Sequence, residues 1–215
     1  SLLIRFTSLQ NGKTLEVLDL SNCTFFESRF LEDSKISVLD FIQQIVENCT
    51  KLKELSLSMT MLCKKSVDFL VSNLTLKIEK LDLFNMHCLT DNHVKKLVTR
   101  CNKITELNLG GNNSITKQSL SFIIENLKLT LVKLSFESTL LRFNLNDLLQ
   151  LKGMENLKLL YYDMDEYRNV HRHYIDWRRL RQQLPNIQIN AKTGNRIIAI
   201  PSQPGYKRQE IWEIK

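Results

Sequence analysis

The sequence predicts an α/β solenoid, in which strand–turn–helix units of similar length stack side by side. A six-residue segment with apolar residues at its first, fourth and sixth positions recurs along the chain, and its last five starts lie 26 or 27 residues apart. In two of the intervals between these segments, apolar residues recur at helical spacing. The six segments begin at Leu15, Leu52, Ile78, Ile104, Leu131 and Leu157.

A constant period headed by this pattern is the signature of leucine-rich repeats. Cys23 lies three residues past the last strand leucine, and Cys49 and Cys101 each lie three residues before the next strand segment. The pattern therefore resembles the cysteine-containing type of leucine-rich repeat, which implies a parallel sheet on the concave side and helices outside. We expect this domain to occupy residues 1–190 and to be truncated at its N-terminus.

The helices of two units can be placed from their first residues. Thr90 and Thr116 stand where a threonine oxygen accepts hydrogen bonds from the free amides of a first helical turn. Apolar residues at helical spacing follow both threonines, so the sequence predicts helices over residues 91–100 and 117–126.

The first complete unit is longer than the others. It runs for 37 residues from Leu15 to Leu52, and the excess lies around residues 25–34. Two interpretations remain open: a loop enlargement packed over the end of the solenoid, or an apolar docking loop, since insertions often map to the binding face.

The concave face is the predicted binding surface. Because side chains alternate across a strand, those at the third, fifth and seventh positions of each segment face solvent. Tyr161 and Asp163 are the favoured pair there, since an exposed aromatic on a rigid sheet is a good interface anchor. A Tyr161 that only packs on its neighbours is the alternative. The candidate partner-binding residues on this face are Asp82, Phe84, Asn108, Ser135, Glu137, Tyr161 and Asp163.

Positive charge is concentrated near the C-terminus. The net charge is +7, and residues 166–215 hold ten Lys or Arg against four Asp or Glu. This favours an acidic or phosphorylated protein partner, because guanidinium groups pair well with phosphate, although the same arginines also fit a solvated helix face. The sequence shows neither a nucleic-acid-binding motif nor a membrane-spanning apolar run, so we expect no nucleic acid and no membrane among its partners.

The sequence contains no recognisable catalytic motif. None of the four histidines has a carboxylate or nucleophile partner at a recognisable spacing, and Gly110-Gly111 lacks the lysine of a phosphate loop. The five cysteines show no metal-ligand spacing. We expect a non-enzymatic chain with no cofactor and no metal.

The cysteines also bear on the cellular compartment. Their odd number and repeat positions favour a reducing environment, whereas four Asn-x-Ser/Thr tripeptides would favour secretion. One of these, at Asn112, falls in the buried turn of its repeat, so we interpret the tripeptides as incidental. The predicted location is the nucleus and cytoplasm.

The last predicted strand lies within residues 184–190. The segment that follows it does not show the repeat pattern. It contains Ile197-Ile198-Ala199-Ile200-Pro201 and the string Gln209-Glu210-Ile211-Trp212-Glu213-Ile214-Lys215. Together with the preceding Leu-Pro-x-x-Gln-Ile-Asn, these pieces resemble the C-terminal region of S-phase-kinase-associated F-box/leucine-rich-repeat proteins. Members of that family are substrate receptors of cullin-RING ubiquitin ligases of the SCF type.

The resemblance implies a function and several partners. It implies that residues 191–215 fold back over the concave face, where tail and repeats bind a Cks-type accessory subunit of cyclin-dependent kinases. The composite surface would receive a phosphorylated cell-cycle protein, and an F-box outside this chain would bind a Skp-type adaptor. The tail positions that match are Ile198, Ala199, Pro201, Gln209, Glu210, Ile211 and Trp212, and all of these except Ala199 are candidate partner-binding residues.

Two alternatives stand beside this interpretation. Trp212 would cap the open end of the solenoid, which needs covering in any repeat protein. The whole chain would serve as an intracellular scaffold or recognition domain without a ligase role.

Overall fold

The computed structural model describes residues 10–23, 37–137, 144–163, 177–193 and 196–200. Its eight strands form one sheet in sequence order. Strands β1 to β7 are parallel, and β8 is antiparallel to β7. The strands are β1 (Val17–Asp19), β2 (Glu54–Ser56), β3 (Lys80–Asp82), β4 (Glu106–Asn108), β5 (Lys133–Phe136), β6 (Leu159–Asp163), β7 (Gln188–Thr193) and β8 (Arg196–Ile200).

One α-helix follows each of the first six strands, and consecutive helices of the first four contact each other. Short 3-10 helices add Gln10–Thr14 before β1 and Gln150–Gly153 after the fifth α-helix. The α-helices are α1 (Val38–Asn48), α2 (Lys64–Asn73), α3 (Asp91–Arg100), α4 (Lys117–Leu127), α5 (Leu145–Leu149) and α6 (Trp177–Gln183).

The leucine-rich-repeat solenoid predicted from the sequence is confirmed. The helix predicted over residues 91–100 has these bounds, and the helix predicted over 117–126 extends one residue further. Thr116 accepts a hydrogen bond from the backbone N–H of Gln118, as expected of a capping threonine. None of the described helices is long and apolar enough to cross a membrane.

The parallel strands pair in register with the repeat. Leu55, Leu81, Leu107, Leu134 and Leu160 occupy equivalent positions and neighbour one another across β2 to β6. All five are buried, together with the first and sixth apolar residues of most repeats. Each repeat therefore extends one continuous core, because the apolar side of one unit is covered only by its neighbours.

The turn after each of the first four strands contains a left-handed residue. Asn22, Met59, Asn85 and Gly111 have φ between 56° and 71°, and all four hold the same repeat position. Asparagine and glycine tolerate this region well, whereas methionine adopts it at a cost.

The next residue in each turn points into the solenoid, and Asn112 makes the fullest use of this position. Its side chain is buried, and Nδ2 donates to the carbonyls of Leu83, Leu109 and Gly110 at 2.9 to 3.0 Å. At the equivalent position, the hydroxyl of Thr60 donates to one carbonyl, that of Leu57, at 2.6 Å. The burial of Asn112 agrees with the interpretation of its tripeptide as incidental.

Asp91 links two repeats on the helical side. Its carboxylate accepts hydrogen bonds from the backbone N–H and the hydroxyl of Thr116, at 2.8 and 2.7 Å, and from the hydroxyl of Ser119. Burial alone would raise the pKa of Asp91, but the hydrogen bonds from Ser119 and Thr116 outweigh it and lower the pKa.

The C-terminal region differs in part from the sequence prediction. The predicted last strand, ending at residue 190, continues to Thr193, so the predicted domain boundary at 190/191 falls inside β7. Residues 196–200 then form β8 at the edge of the sheet, where Ile198 pairs with Ala191. The return of the tail along the concave face stays a prediction for residues 201–215. These residues and the insertion at 25–34 lie outside the described residues.

We expect Asn112→Ala to lower the free energy of unfolding by roughly 2–3 kcal/mol, because it leaves buried carbonyls without their donor. Urea unfolding followed by circular dichroism measures this change. Asn112→Thr is the matched control and should recover part of the loss, as the hydroxyl of Thr60 shows at the same position. A loss of less than about 0.5 kcal/mol for the alanine variant would contradict the role of the Asn112 donors.

We also expect Asp91→Asn to destabilise the protein at neutral pH and to matter progressively less in acid. The folded-state pKa of Asp91 is lowered. The stability that its carboxylate contributes is therefore fully present above its unfolded pKa, at about pH 4, and is lost as pH falls through the folded value. Unfolding curves of both proteins between about pH 7 and about pH 3 test this, and a pH-independent difference would contradict it.

Candidate functional site

The concave face of β1 to β6 forms an open groove of about 420 Å³. Of the candidate residues predicted from the sequence, five line this groove together: Asp82, Asn108, Ser135, Glu137 and Tyr161. Ser135 corrects the prediction in one respect, because its side chain is buried at the floor of the groove instead of facing solvent.

Three of the remaining candidates belong to elements that can be located relative to this lining. Phe84 lies beside it in the turn after β3, and Asp163 ends β6, where its backbone pairs with Lys192. Ile198 lies on β8. The other predicted tail residues, Pro201, Gln209, Glu210, Ile211 and Trp212, fall outside the described residues.

Alternating charges cross the groove at the third repeat position. We call Glu54, Lys80, Glu106 and Lys133 the charge ladder. Lys80 Nζ lies 2.9 Å from Glu54 Oε1 and 3.6 Å from Glu106 Oε1, and Lys133 Nζ lies 3.7 Å from Glu106 Oε2. The hydrogen bond to Glu54 and the charge of Glu106 raise the pKa of Lys80. Both lysines of the groove are thus already paired with carboxylates.

The charge ladder ends on an aromatic ring. Lys133 Nζ stands 5.3 Å from the centroid of the Tyr161 ring, within the range of a cation–π interaction. Tyr161 is half-buried and therefore does pack on a neighbour, while part of its ring remains open to the groove.

Polar residues at the fifth repeat position stabilise the strand ends. Asp19, Asp82 and Asn108 each accept a hydrogen bond from the backbone N–H two residues later, at 2.8 to 3.0 Å. Such local side-chain bonds replace a backbone partner where the chain turns away from the sheet. The same residues therefore shape the turns and line the groove.

Asp82 differs from its neighbours in its electrostatic environment. Its carboxylate is half-buried, and burial raises its pKa against the hydrogen bonds from Phe84 N–H and Asn108. Asp19 shows the opposite shift, because hydrogen bonds from Ser21 lower the pKa of an exposed carboxyl. Partial burial therefore disfavours the charged form of the Asp82 carboxylate in the groove.

The side chain of Phe84 is more constrained by packing than the sequence suggested. A Cβ placed on Gly110 would stand 2.7 Å from Phe84 Cδ2 and 2.6 Å from the carbonyl oxygen of Glu137. The ring therefore lies against the glycine backbone of the next repeat. Phe84 packs across a repeat junction and is not a protruding anchor.

Two arrangements were missed by the sequence analysis. The charge ladder had a signal, since Glu54, Lys80, Glu106 and Lys133 alternate in sign at one repeat position. The second is a histidine–carboxylate pair: His93 is buried, its Nε2 lies 2.9 Å from Asp68 Oδ1, and its Nδ1 accepts from the Thr90 N–H. The sequence shows no recognisable carboxylate partner for His93, because Asp68 lies 25 residues away in the preceding repeat. The pair links α2 to the start of α3, away from the groove.

The described cysteines and acids form no metal site. No group of three His, Cys, Asp or Glu side chains in the described ranges could hold a metal ion, and all five cysteines are free. Burial raises the pKa of the Cys101 thiol to about 11, so this cysteine is an inert core residue.

The comparisons with known proteins agree on the fold. No protein-family model and no curated protein matches the sequence. Among solved structures, Leiomodin-1 Actin-Binding Site 2 is similar with a TM-score of 0.51 and 18% identity, over 70% of this chain and 87% of that one. The leucine-rich repeat-containing protein LegL7 from Legionella pneumophila is similar with a TM-score of 0.51 and 20% identity, over 85% of this chain and 57% of that one.

These structures show the class to which the chain belongs in fold. It is a leucine-rich-repeat solenoid, an architecture whose extended concave surface serves binding.

We expect Gly110→Ala to lower the free energy of unfolding by roughly 1–3 kcal/mol, because the new methyl group meets the Phe84 ring and a backbone oxygen. Thermal or urea unfolding measures the effect. Gly153→Ala is the matched control, since its Cβ would meet no atom within 4 Å, and it should be neutral or stabilising. Equal effects of the two substitutions would contradict the close packing of Phe84 on Gly110.

Proposed function

We propose that this chain is a non-catalytic recruitment domain that binds a partner protein in its concave groove. The observation that carries the proposal is the groove itself, which takes side chains from six consecutive strands of one sheet. With strands about 4.8 Å apart, β1 to β6 span about 24 Å, enough to contact a peptide segment or a protein surface. The lining combines charged and polar side chains with apolar ones, and an aromatic side chain, a residue type enriched at interfaces, lies at one end.

We further propose that the partner is recruited for ubiquitination, as a substrate receptor of an SCF-type ligase. The support is the resemblance of residues 184–215, above all the string from Gln209 to Lys215. In this proposal a Skp-type adaptor binds an F-box outside this chain, and the protein works in the nucleus and cytoplasm. A Cks-type subunit and a phosphorylated cell-cycle protein would then bind near the C-terminal repeats and tail.

Charge directs the proposed phosphate contact away from the groove. Lys80 and Lys133 are already paired with glutamates. Residues 166–215, by contrast, carry six net positive charges, with ten Lys or Arg against four Asp or Glu. Arginine pairs with phosphate in a bidentate manner, so this basic segment suits a phosphorylated partner better than the groove does.

A scaffold without a ligase role is the second candidate. The observation in its favour is β8, in which residues 196–200 of the tail serve as an edge strand of the sheet. An edge strand covers the open side of the solenoid, a structural task that requires no further subunit.

The two candidates differ in their dependence on the tail. We expect the intact chain to recover a Cks-type subunit from an extract of proliferating cells, and a version ending at residue 200 to lose it while keeping β8. Tyr161→Ala should weaken the recovery, because it removes an aromatic side chain from the end of the groove. Affinity capture followed by mass spectrometry is the measurement.

Leu129→Ala is the matched control, since Leu129 is an exposed apolar residue outside the groove lining. If the folded, intact chain recovers no Cks-type subunit, the receptor proposal fails and the scaffold proposal stands.

A further inference from the structure

The concave groove is opposite in charge to the rest of the protein. The chain carries a net charge of +7, whereas the described residues that line the groove include five carboxylates and two lysines. The carboxylates are Asp19, Glu54, Asp82, Glu106 and Glu137, and the lysines are Lys80 and Lys133. A cleft in which one sign of charge is in surplus attracts ligands of the opposite sign.

The two lysines do not offset the acids evenly. Within the charge ladder, Lys80 pairs with Glu54 and Glu106, and Lys133 pairs with Glu106. Asp82 stands two residues further along β3 than Lys80, and the hydrogen bonds that the structure describes for it come from the neutral groups Phe84 N–H and Asn108. No ion pair reaches Asp82 among the described side chains. The acidic surplus of the described lining therefore lies outside the ladder, with Asp19 and Asp82 at the fifth repeat position and Glu137 at the seventh.

We propose that the groove binds a basic segment of a partner protein, with a lysine or arginine side chain paired to Asp82. This inference rests on the proposed function as a recruitment domain and specifies the partner's chemistry. The polar side chains of Ser56 and Asn108 flank Asp82 in the neighbouring strands and offer the cation further hydrogen-bond acceptors. A bound cation would also offset the cost of holding the half-buried carboxylate charged.

The dimensions of the groove suit a short peptide segment. Tyr161 lies three strands from Asp82, about 14 Å at normal strand spacing. An extended chain covers that distance in about four or five residues. A segment with its basic residue at Asp82 would therefore reach the open part of the Tyr161 ring.

A phosphorylated segment fits this part of the molecule less well. Its phosphate would face Asp19 and Asp82 and would have to compete with Glu54 and Glu106 for the lysines. Like charges brought together at an interface weaken binding.

The test uses the complete chain and three fluorescein-labelled octapeptides: octalysine, octaglutamate and an alanine peptide with two phosphoserines. Fluorescence anisotropy measures their binding at about 20 mM and about 500 mM salt, since screening distinguishes charge pairing from apolar contact. We expect octalysine to bind best despite the positive charge of the protein, and to bind less tightly in the higher salt. Asp82→Asn should weaken octalysine binding about tenfold, the scale expected for a partly desolvated charge pair.

Two substitutions control for charge and folding. Glu155→Gln removes one carboxylate from an exposed turn outside the groove and should change octalysine binding less than twofold. Asp82→Asn keeps an oxygen for the Phe84 N–H and removes the buried charge, so it should unfold at the same or a higher temperature than the parent. Binding lost without any loss of stability would separate a recognition role from a structural one.

The proposal is overturned if octalysine fails to bind, or if it binds the parent and Asp82→Asn equally. Tighter binding of the diphosphoserine peptide, strengthened by Asp82→Asn, would identify the groove as an anion site instead. These outcomes are independent of the capture experiment above, because a failure to recover a Cks-type subunit leaves peptide binding at Asp82 untouched.

Discussion

Parallel, in-register pairing of consecutive strands is the constraint on which the rest of this structure depends. Because the repeat period is nearly constant, each strand meets the next with equivalent residues side by side, as Leu55, Leu81 and Leu107 do in the core. Residues at one repeat position therefore form a continuous row across the sheet, so a residue type repeated at that position gives the whole row the same character. The buried leucines, the left-handed turn residues and the charge ladder are three such rows.

Some concave residues stabilise the turns and line the groove with the same side chains. Asp82 accepts a hydrogen bond from the backbone N–H of Phe84, at the end of its strand. It also presents a half-buried charge to the groove. An asparagine would perform the first task equally well, as Asn108 does in the adjacent strand. The turn alone therefore does not require an aspartate at this position.

The sequence predicted what depends on the repeat and missed what depends on pairs of side chains. Apolar periodicity and capping threonines were enough for the sheet, for helices α3 and α4 and for the location of the groove. The packing of Phe84 on Gly110 and the pairing of His93 with Asp68 require distances between adjacent repeats, which periodicity does not contain. The edge strand β8 was missed for another reason. It pairs antiparallel with β7 and lies outside the repeats, so the repeat period does not predict it.

Repeats of similar sequence face the danger of stacking in the wrong order, since an apolar core would tolerate the omission of one unit. The alternating signs of the charge ladder oppose this error. If the β3 unit were looped out, Glu54 would stand beside Glu106, and if the β4 unit were looped out, Lys80 would stand beside Lys133. Like charges directly opposite each other destabilise a sheet. The ladder therefore disfavours strand pairings that skip one repeat and favours pairing of the repeats in sequence order.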